Sequence, residues 1–300
     1  MKIYAQALDL SSGCALTRDG VSIEGSDSPI TDLVYVDSVY SGSVENGSVL
    51  KPYKSLSGAL QAKLTDASTT SYVFKLAPGV YTGGISIDQS SKNQSFKIEG
   101  SGDETIIQSG TTFSAGKDTN VLYFRDFKTI ELASCTVRNG LYGFYPRACD
   151  KVICHDVKFQ YLGSDGTVNR HNLTGTQAEQ AAFWGSTSTS SGGACRIREI
   201  GQLDMYDCEV SYCLRGLRLQ DVGTSETNSI VSNCKIFRTL EAGVYLAAGN
   251  YTGSSGCINF SVTGCFLTEC GNDSLMCIGA VSRTTQLYEA QMRVSKRGIR

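Results

Sequence analysis

The sequence predicts an all-β chain, a right-handed, single-stranded parallel β-helix, and three observations predict it. Glycine is abundant, 32 residues against 4 prolines, so the chain turns often and seldom by proline. Only 19% of residues are charged while 41% are hydrophobic, a balance that suits many short buried strands better than long amphipathic helices. Behind these averages lies an irregular internal repeat, a small or polar residue, a cysteine and a short apolar strand.

Residues 1–33 lack that repeat and are read as a separate N-terminal arm, followed by a β-helix domain over 34–300. Within the domain, 34–66 form a cap. Leu56, Leu60 and Leu64 recur at i, i+4 and i+8, which puts one apolar stripe on a short helix, and Ser55 is placed to cap it. Such a cap covers an end that would otherwise expose unpaired backbone and core. Coils are expected over 67–280. The first are Tyr72–Leu76, Gly84–Ile87, Phe96–Ile98 and Thr105–Ile107, with Ile98 22 residues after Leu76 and Ile107 20 after Ile87.

The repeat proper begins at Ser134-Cys135-Thr136-Val137 and returns at Asp207-Cys208, Asn233-Cys234 and Gly264-Cys265, with Asp156 standing for the cysteine in a variant at His155–Phe159. Each of the four cysteine copies is followed by a second short strand, at Gly140–Phe144, Gly216–Leu219, Gly243–Leu246 and Leu275–Ile278. The marker steps are 21, 52, 26 and 31 residues, a basic coil with loops inserted at its corners. Strands this short cannot bury a face alone. They must stack in parallel at about 4.8 Å and share a narrow core, with Cys135, Cys208, Cys234 and Cys265 as one inward ladder and Cys213 and Cys270 in another. A C-terminal segment, 281–300, carries Arg283, Arg293, Lys296, Arg297 and Arg300 against Glu289.

Several function classes are set aside by composition. A net charge of -2 gives no broad basic field for nucleic acid, and no apolar run approaches the roughly 20 residues of a bilayer span, so no membrane insertion is expected. Met1–Leu16 lack the basic start, apolar stretch and cleavage site of a secretory signal. The 12 cysteines are accordingly read as free thiols of a chain made in a reducing cytoplasm. Cys149-x4-Cys154-His155 is too loose for a zinc motif and recurs with the coils, so no metal and no cofactor are expected.

Two groups of residues are candidates for chemistry or binding. The 52-residue step contains the largest insertion, 163–194, with Asp165, Arg170, His171 and Trp184 as candidate ligand-binding residues. Trp184, the only tryptophan, offers a ring for stacking on a sugar, and equally an anchor for the loop itself. Hydrolysis of a glycosidic bond needs two carboxyl groups about 5 to 9 Å apart, and Asp204, Glu209, Asp221, Glu226 and Glu241 lie in neighbouring coils. No compact acidic cluster of the kind that holds a lyase's calcium is visible.

The N-terminal part of the domain resembles the pectate-lyase-like superfamily of parallel β-helix proteins. Tyr35-Val36-Asp37-Ser38, Asn46-Gly47-Ser48, Lys51–Leu56, Ala77–Gly83 and Ile98–Ile107 are similar to the strand, loop, cap helix and early coils of such chains. The resemblance covers about 34–280 and is architectural. It implies polysaccharide lyases and hydrolases, adhesins, and bacteriophage tailspikes and fibres. Without an export signal, the expectation is a virion protein made in a host cytoplasm: a tailspike or tail-fibre component that binds host-surface polysaccharide. Its arm at 1–33 would meet other virion proteins, and related spikes imply a homotrimer. A depolymerase of the same fold and a capsid or baseplate structural protein are the alternatives.

Overall fold

The computed structural model describes residues 17–18, 21–22, 31–65, 70–90, 92–111, 119–163, 192–239, 242–247, 257–268, 270 and 275–278. Apart from one short antiparallel pair, Thr17–Arg18 with Val21–Ser22, its strand ladders are parallel. The fold is all-β and parallel, with a single helix among the described residues.

Two sheets carry the ladders. The first runs from Thr31–Val36 through Ser71–Leu76, Ser95–Glu99, Thr129–Gly140, Lys151–Leu162, Gln202–Tyr206 and Ser229–Ser232 to Phe260–Thr263. Its strand Thr31–Val36 straddles the 33/34 division expected between arm and domain. A second arm of this sheet pairs Gly79–Thr82 with Thr105–Gln108, and Thr105–Gln108 in turn with the later half of Thr129–Gly140. It continues from Lys151–Leu162 into Glu209–Ser211, Lys235–Phe237 and Phe266–Thr268. The second sheet stacks Ile85–Asp88, Leu122–Arg125, Tyr142–Arg147, Gly193–Ile200, Leu217–Val222, Val244–Ala247 and Leu275–Ile278. After each visit to the second sheet the chain returns to the first, one strand further along.

The corners explain the small or polar residue of the repeat. Ser134, Asp156, Asp207, Asn233 and Gly264 fall at one register position, and all have φ between 52° and 61°. A second corner holds Asn139, Tyr161, Tyr212 and Arg238, and a third Asp126, Ala148, Glu199 and Asp221, again left-handed. For a residue with a Cβ this conformation costs roughly 1–2 kcal/mol, least for Asn and Asp, whose short side chains bond locally. Here the bond runs between neighbouring strands: the Asn233 side-chain amide donates to Asp207 at the same corner of the preceding strand pair.

This register corrects the sequence alignment by one residue. Val157 pairs with Cys135, so Asp156 is the corner residue and Val157 takes the cysteine position. Cys135, Val157, Cys208, Cys234 and Cys265 form the inward column, all buried. Cys154 joins it sideways, its Sγ 3.8 Å from that of Cys208. Upstream, Ile98 pairs with Phe74 and Ile107 with Tyr81, not with Leu76 and Ile87. Ile87 belongs to the second sheet, opposite Phe124, so the early spacings mixed strands of two different sheets.

The core is continuous from Val34 to Leu267. Near the cap it is aromatic: Phe96 packs edge-on against Phe124 and Phe127, with centroids 4.8 and 4.9 Å away. Toward the other end the buried side chains are mainly Cys, Val, Leu and Ile, with Phe260 among them. The helix Leu56–Leu64 closes the aromatic end with Leu56, Ala59, Leu60 and Leu64, and the Gly58 amide donates to the Ser55 hydroxyl at its N-cap.

The large insertion leaves and re-enters the fold at one point. The Gly163 amide donates to the Gly140 carbonyl at 2.8 Å and that of Gly193 to the Leu141 carbonyl at 2.9 Å. Gly192, at φ +101°, is packed so tightly there that a Cβ would lie 2.1 Å from the Leu141 carbonyl oxygen and 2.6 Å from Gly163 Cα. Gly163 and Gly192, the described residues on either side of the insertion, are therefore in contact just before the second sheet's strand Gly193–Ile200.

Candidate functional site

Asp165, Arg170, His171, Trp184 and Glu241 lie outside the described residues, as do Arg283, Arg293, Lys296, Arg297 and Arg300. The four remaining carboxylates do not converge. Asp204 and Glu209 stand on the two arms of the first sheet, either side of the corner at Asp207. Asp204 is taken up by Lys151 Nζ at 2.7 Å and by Gln202. Glu209 lies in register between Lys158 and Lys235. Asp221 is at the third corner, and Glu226 is on the exposed turn Thr224–Thr227, which Thr227 ties to the Gly201 carbonyl at 2.6 Å.

Two outward faces carry chemistry in columns, because outward positions one strand apart repeat at the sheet spacing of about 4.8 Å. On the first sheet an ion-pair chain runs along the stack. Lys75 bonds Glu99 at 2.8 Å, Lys97 bonds Glu99 at 3.3 Å and Glu131 at 2.8 Å, and His155 Nε2 lies 3.0 Å from Glu131. His155 Nδ1 is 2.8 Å from Asp156, and its ring lies flat on Tyr206, with centroids 4.9 Å apart. Burial alone would raise the Glu131 carboxyl, but hydrogen bonds from Lys97 and His155 outweigh it and hold it below the ordinary glutamate range. The hydrogen bond from Lys75 likewise holds Glu99 low. Carboxylates fixed in the charged form are poor proton donors, so this strip is suited to stiffening the sheet rather than to general-acid chemistry.

The second sheet presents arginine and tyrosine. In register along its outer face stand Ser86, Tyr123, Tyr145, Arg196, Arg218 and Tyr245. The Arg196 guanidinium lies 4.8 Å from the Tyr145 ring centroid and 5.5 Å from that of Tyr142, and Arg218 is 5.7 Å from Tyr245. Tyr123 meets Tyr145 edge-on at 5.0 Å. Burial, with the nearby charge of Asp88, pushes the Tyr123 hydroxyl up, keeping it a neutral donor. A neighbouring column holds Asp88, Arg125, Arg147, Arg198 and Gln220. Here each arginine has an acid: Arg125 with Asp126 at 3.2 Å, Arg147 with Glu199 at 3.2 Å and Arg198 with Glu199 at 2.8 Å.

Sequence reasoning passed over this face, although the signal was present. Cys195-Arg196-Ile197-Arg198 and Leu217-Arg218-Leu219-Gln220 alternate buried apolar with outward cationic or polar residues at the strand period. Only the register shows that the arginines stack on one another and on tyrosines.

Buried thiols offer no competing chemistry. Burial pushes the Cys135 thiol up to about 12 and the Cys149 and Cys154 thiols up to about 11, away from the reactive thiolate. No cluster of three or more His, Cys, Asp or Glu suited to a metal occurs among the described residues, and no helix there is long and apolar enough to cross a membrane. No family model, curated protein or solved structure matches the chain.

Proposed function

We propose that the chain is a right-handed, single-stranded parallel β-helix of the pectate-lyase-like kind, and that it serves as a bacteriophage virion protein. In this reading it is a tailspike or tail-fibre component, a homotrimer held to the particle by residues 1–33, that binds host-surface polysaccharide. Residues 34–66 cap the helix, 67–280 are its coils, and 281–300 are a basic C-terminal segment.

One observation carries the binding role: the arginine and tyrosine columns on the outer face of the second sheet, at whose edge the 164–191 insertion begins and ends. Aromatic rings and guanidinium groups repeated along a rigid stack provide extended contact at low entropic cost, which suits a polymer of repeating units. Binding without cleavage is favoured because the described candidate carboxylates Asp204, Glu209, Asp221 and Glu226 stand on different arms, corners and turns, and Asp204 is taken up by Lys151.

The test is to incubate the protein with bacterial surface polysaccharides and follow retention, chain length and new reducing ends together. Retained but intact chains are expected. Shortened chains would make the protein a depolymerase and turn attention to Asp204, Glu209, Asp221, Glu226 and Glu241. No retention at all would leave a structural virion protein.

A further inference from the structure

We propose that the polysaccharide is an acidic one, with carboxylates at intervals along its chain, and that Arg196 and Arg218 are the residues that read them. This rests on the glycan-binding reading above and names the ligand's chemistry.

The two arginines face outward from adjacent strands in direct register, so their guanidinium groups lie about one strand spacing apart. Both are partly exposed, and neither has an ion-pair partner among the described residues. The Nε of each is shut off from water with no hydrogen-bond partner, so the cation is already largely stripped of solvent on its inner side. Tyrosine rings hold the guanidinium groups in place. What remains open on each is the outer edge of the fork, whose geometry matches a carboxylate.

The same strand pairs show that the fold supplies acids to arginines where neutralisation is all that is required. Arg125, Arg147 and Arg198, one column away, are matched by Asp126 and Glu199. Leaving Arg196 and Arg218 unmatched beside them is a difference of site, not of composition.

Those neighbouring acids also limit the ligand. Asp88, Asp126, Glu199 and Asp221 line one side of the face. Because Asp126 and Glu199 already neutralise Arg125, Arg147 and Arg198, the face offers too few unmatched cations for a polymer with a full charge on every unit, such as single-stranded nucleic acid. A glycan with one carboxylate per repeat instead brings neutral hydroxyls, which carboxylates accept well.

The experiment uses the full chain and measures affinity for hyaluronate and gellan, whose carboxylates are separated by neutral sugars, for the same two polymers with their carboxyl groups reduced to alcohols, for dextran, and for single-stranded DNA. Arg196→Gln, Arg218→Gln and their Lys counterparts are compared with Lys235→Gln on the first sheet. The expected result is binding of at least one acidic polymer, lost on carboxyl reduction. Each Gln variant should weaken it about tenfold, as loss of a charged hydrogen-bonded pair does, and each Lys variant by less. Lys235→Gln should bind as the parent, and unchanged thermal melting would show that the Gln variants are folded.

Equal binding of native and carboxyl-reduced polymers, DNA bound as tightly as glycan, or Gln variants that bind as the parent would each overturn the acidic specificity while leaving glycan binding in place. Retention of no polymer would overturn both.

Discussion

Asn233 and Glu131 show how single residues serve the stack in different ways. Asn233 holds a left-handed corner at φ 52° and reaches down to Asp207, so its type is set by backbone first and hydrogen bonding second. Replacing it by Val should destabilise the protein by about 1–2 kcal/mol in urea unfolding, since a β-branched residue resists that conformation, whereas Asn233→Gly should cost only a few tenths. Glu131 acts through charge. Its folded pKa, like that of Glu99, lies below the ordinary glutamate value of about 4.3, so its contribution is complete above that value and is lost as pH falls through the folded one. Thermal melting followed from pH 6 to pH 3 should therefore fall below about pH 4.3 in the parent. In Glu131→Gln the curve should start lower, by no more than about 1 kcal/mol of stability, and fall less steeply over the same window. Parallel curves for the two proteins would remove Glu131 from the acid response.

Among the elements, the cap helix and the inward faces are where sequence and structure agree. Leu56, Leu60 and Leu64 announced the helix because a one-sided apolar stripe has few other uses, and Leu60 is fully buried. Leu60→Ala should cost about 2–5 kcal/mol by the same unfolding measurement, and Ser55→Ala about 1 kcal/mol. A smaller loss at Leu60 would mean that the helix does not close the core. Cysteine marked the inner column because an inward site hemmed by neighbours one coil up and down demands a small apolar side chain. The alignment slipped at Asp156 because the preceding corner also prefers a small polar residue, and the sequence does not show where the corner ends and the strand begins. It slipped again at Leu76 and Ile87, where short strands of different sheets carry the same apolar pattern. The outer face was legible only as alternation, in Cys195–Arg198 and Leu217–Gln220: outward positions tolerate almost any residue, so Arg196 over Tyr145 becomes a feature only when two strands distant in sequence are laid side by side.

At the scale of the whole fold, each inner strand of the two described sheets pairs with one strand on either side, so stability is close to a sum of strand terms and nearest-neighbour interfaces. The helix Leu56–Leu64 anchors one end over a dense aromatic core. Opening should accordingly proceed from the other end, and the cysteine column is a built-in reporter of it. Cys265, Cys234, Cys208 and Cys154 follow one another inward from the last strand pair of the first sheet, all buried and reduced, with thiols pushed well above the reactive range. In native protein under a thiol-reactive reagent at neutral pH, the nine buried thiols should be protected, leaving Cys270, which is partly exposed, and Cys14 and Cys277 outside this set. At low urea, mass spectrometry of the labelled peptides should find Cys265 modified first, then Cys234, then Cys208, with Cys135 and Cys154 last. Simultaneous labelling of all of these would mean that the stack opens as one cooperative unit, with coupling between neighbouring strands stronger than the stability of any one of them.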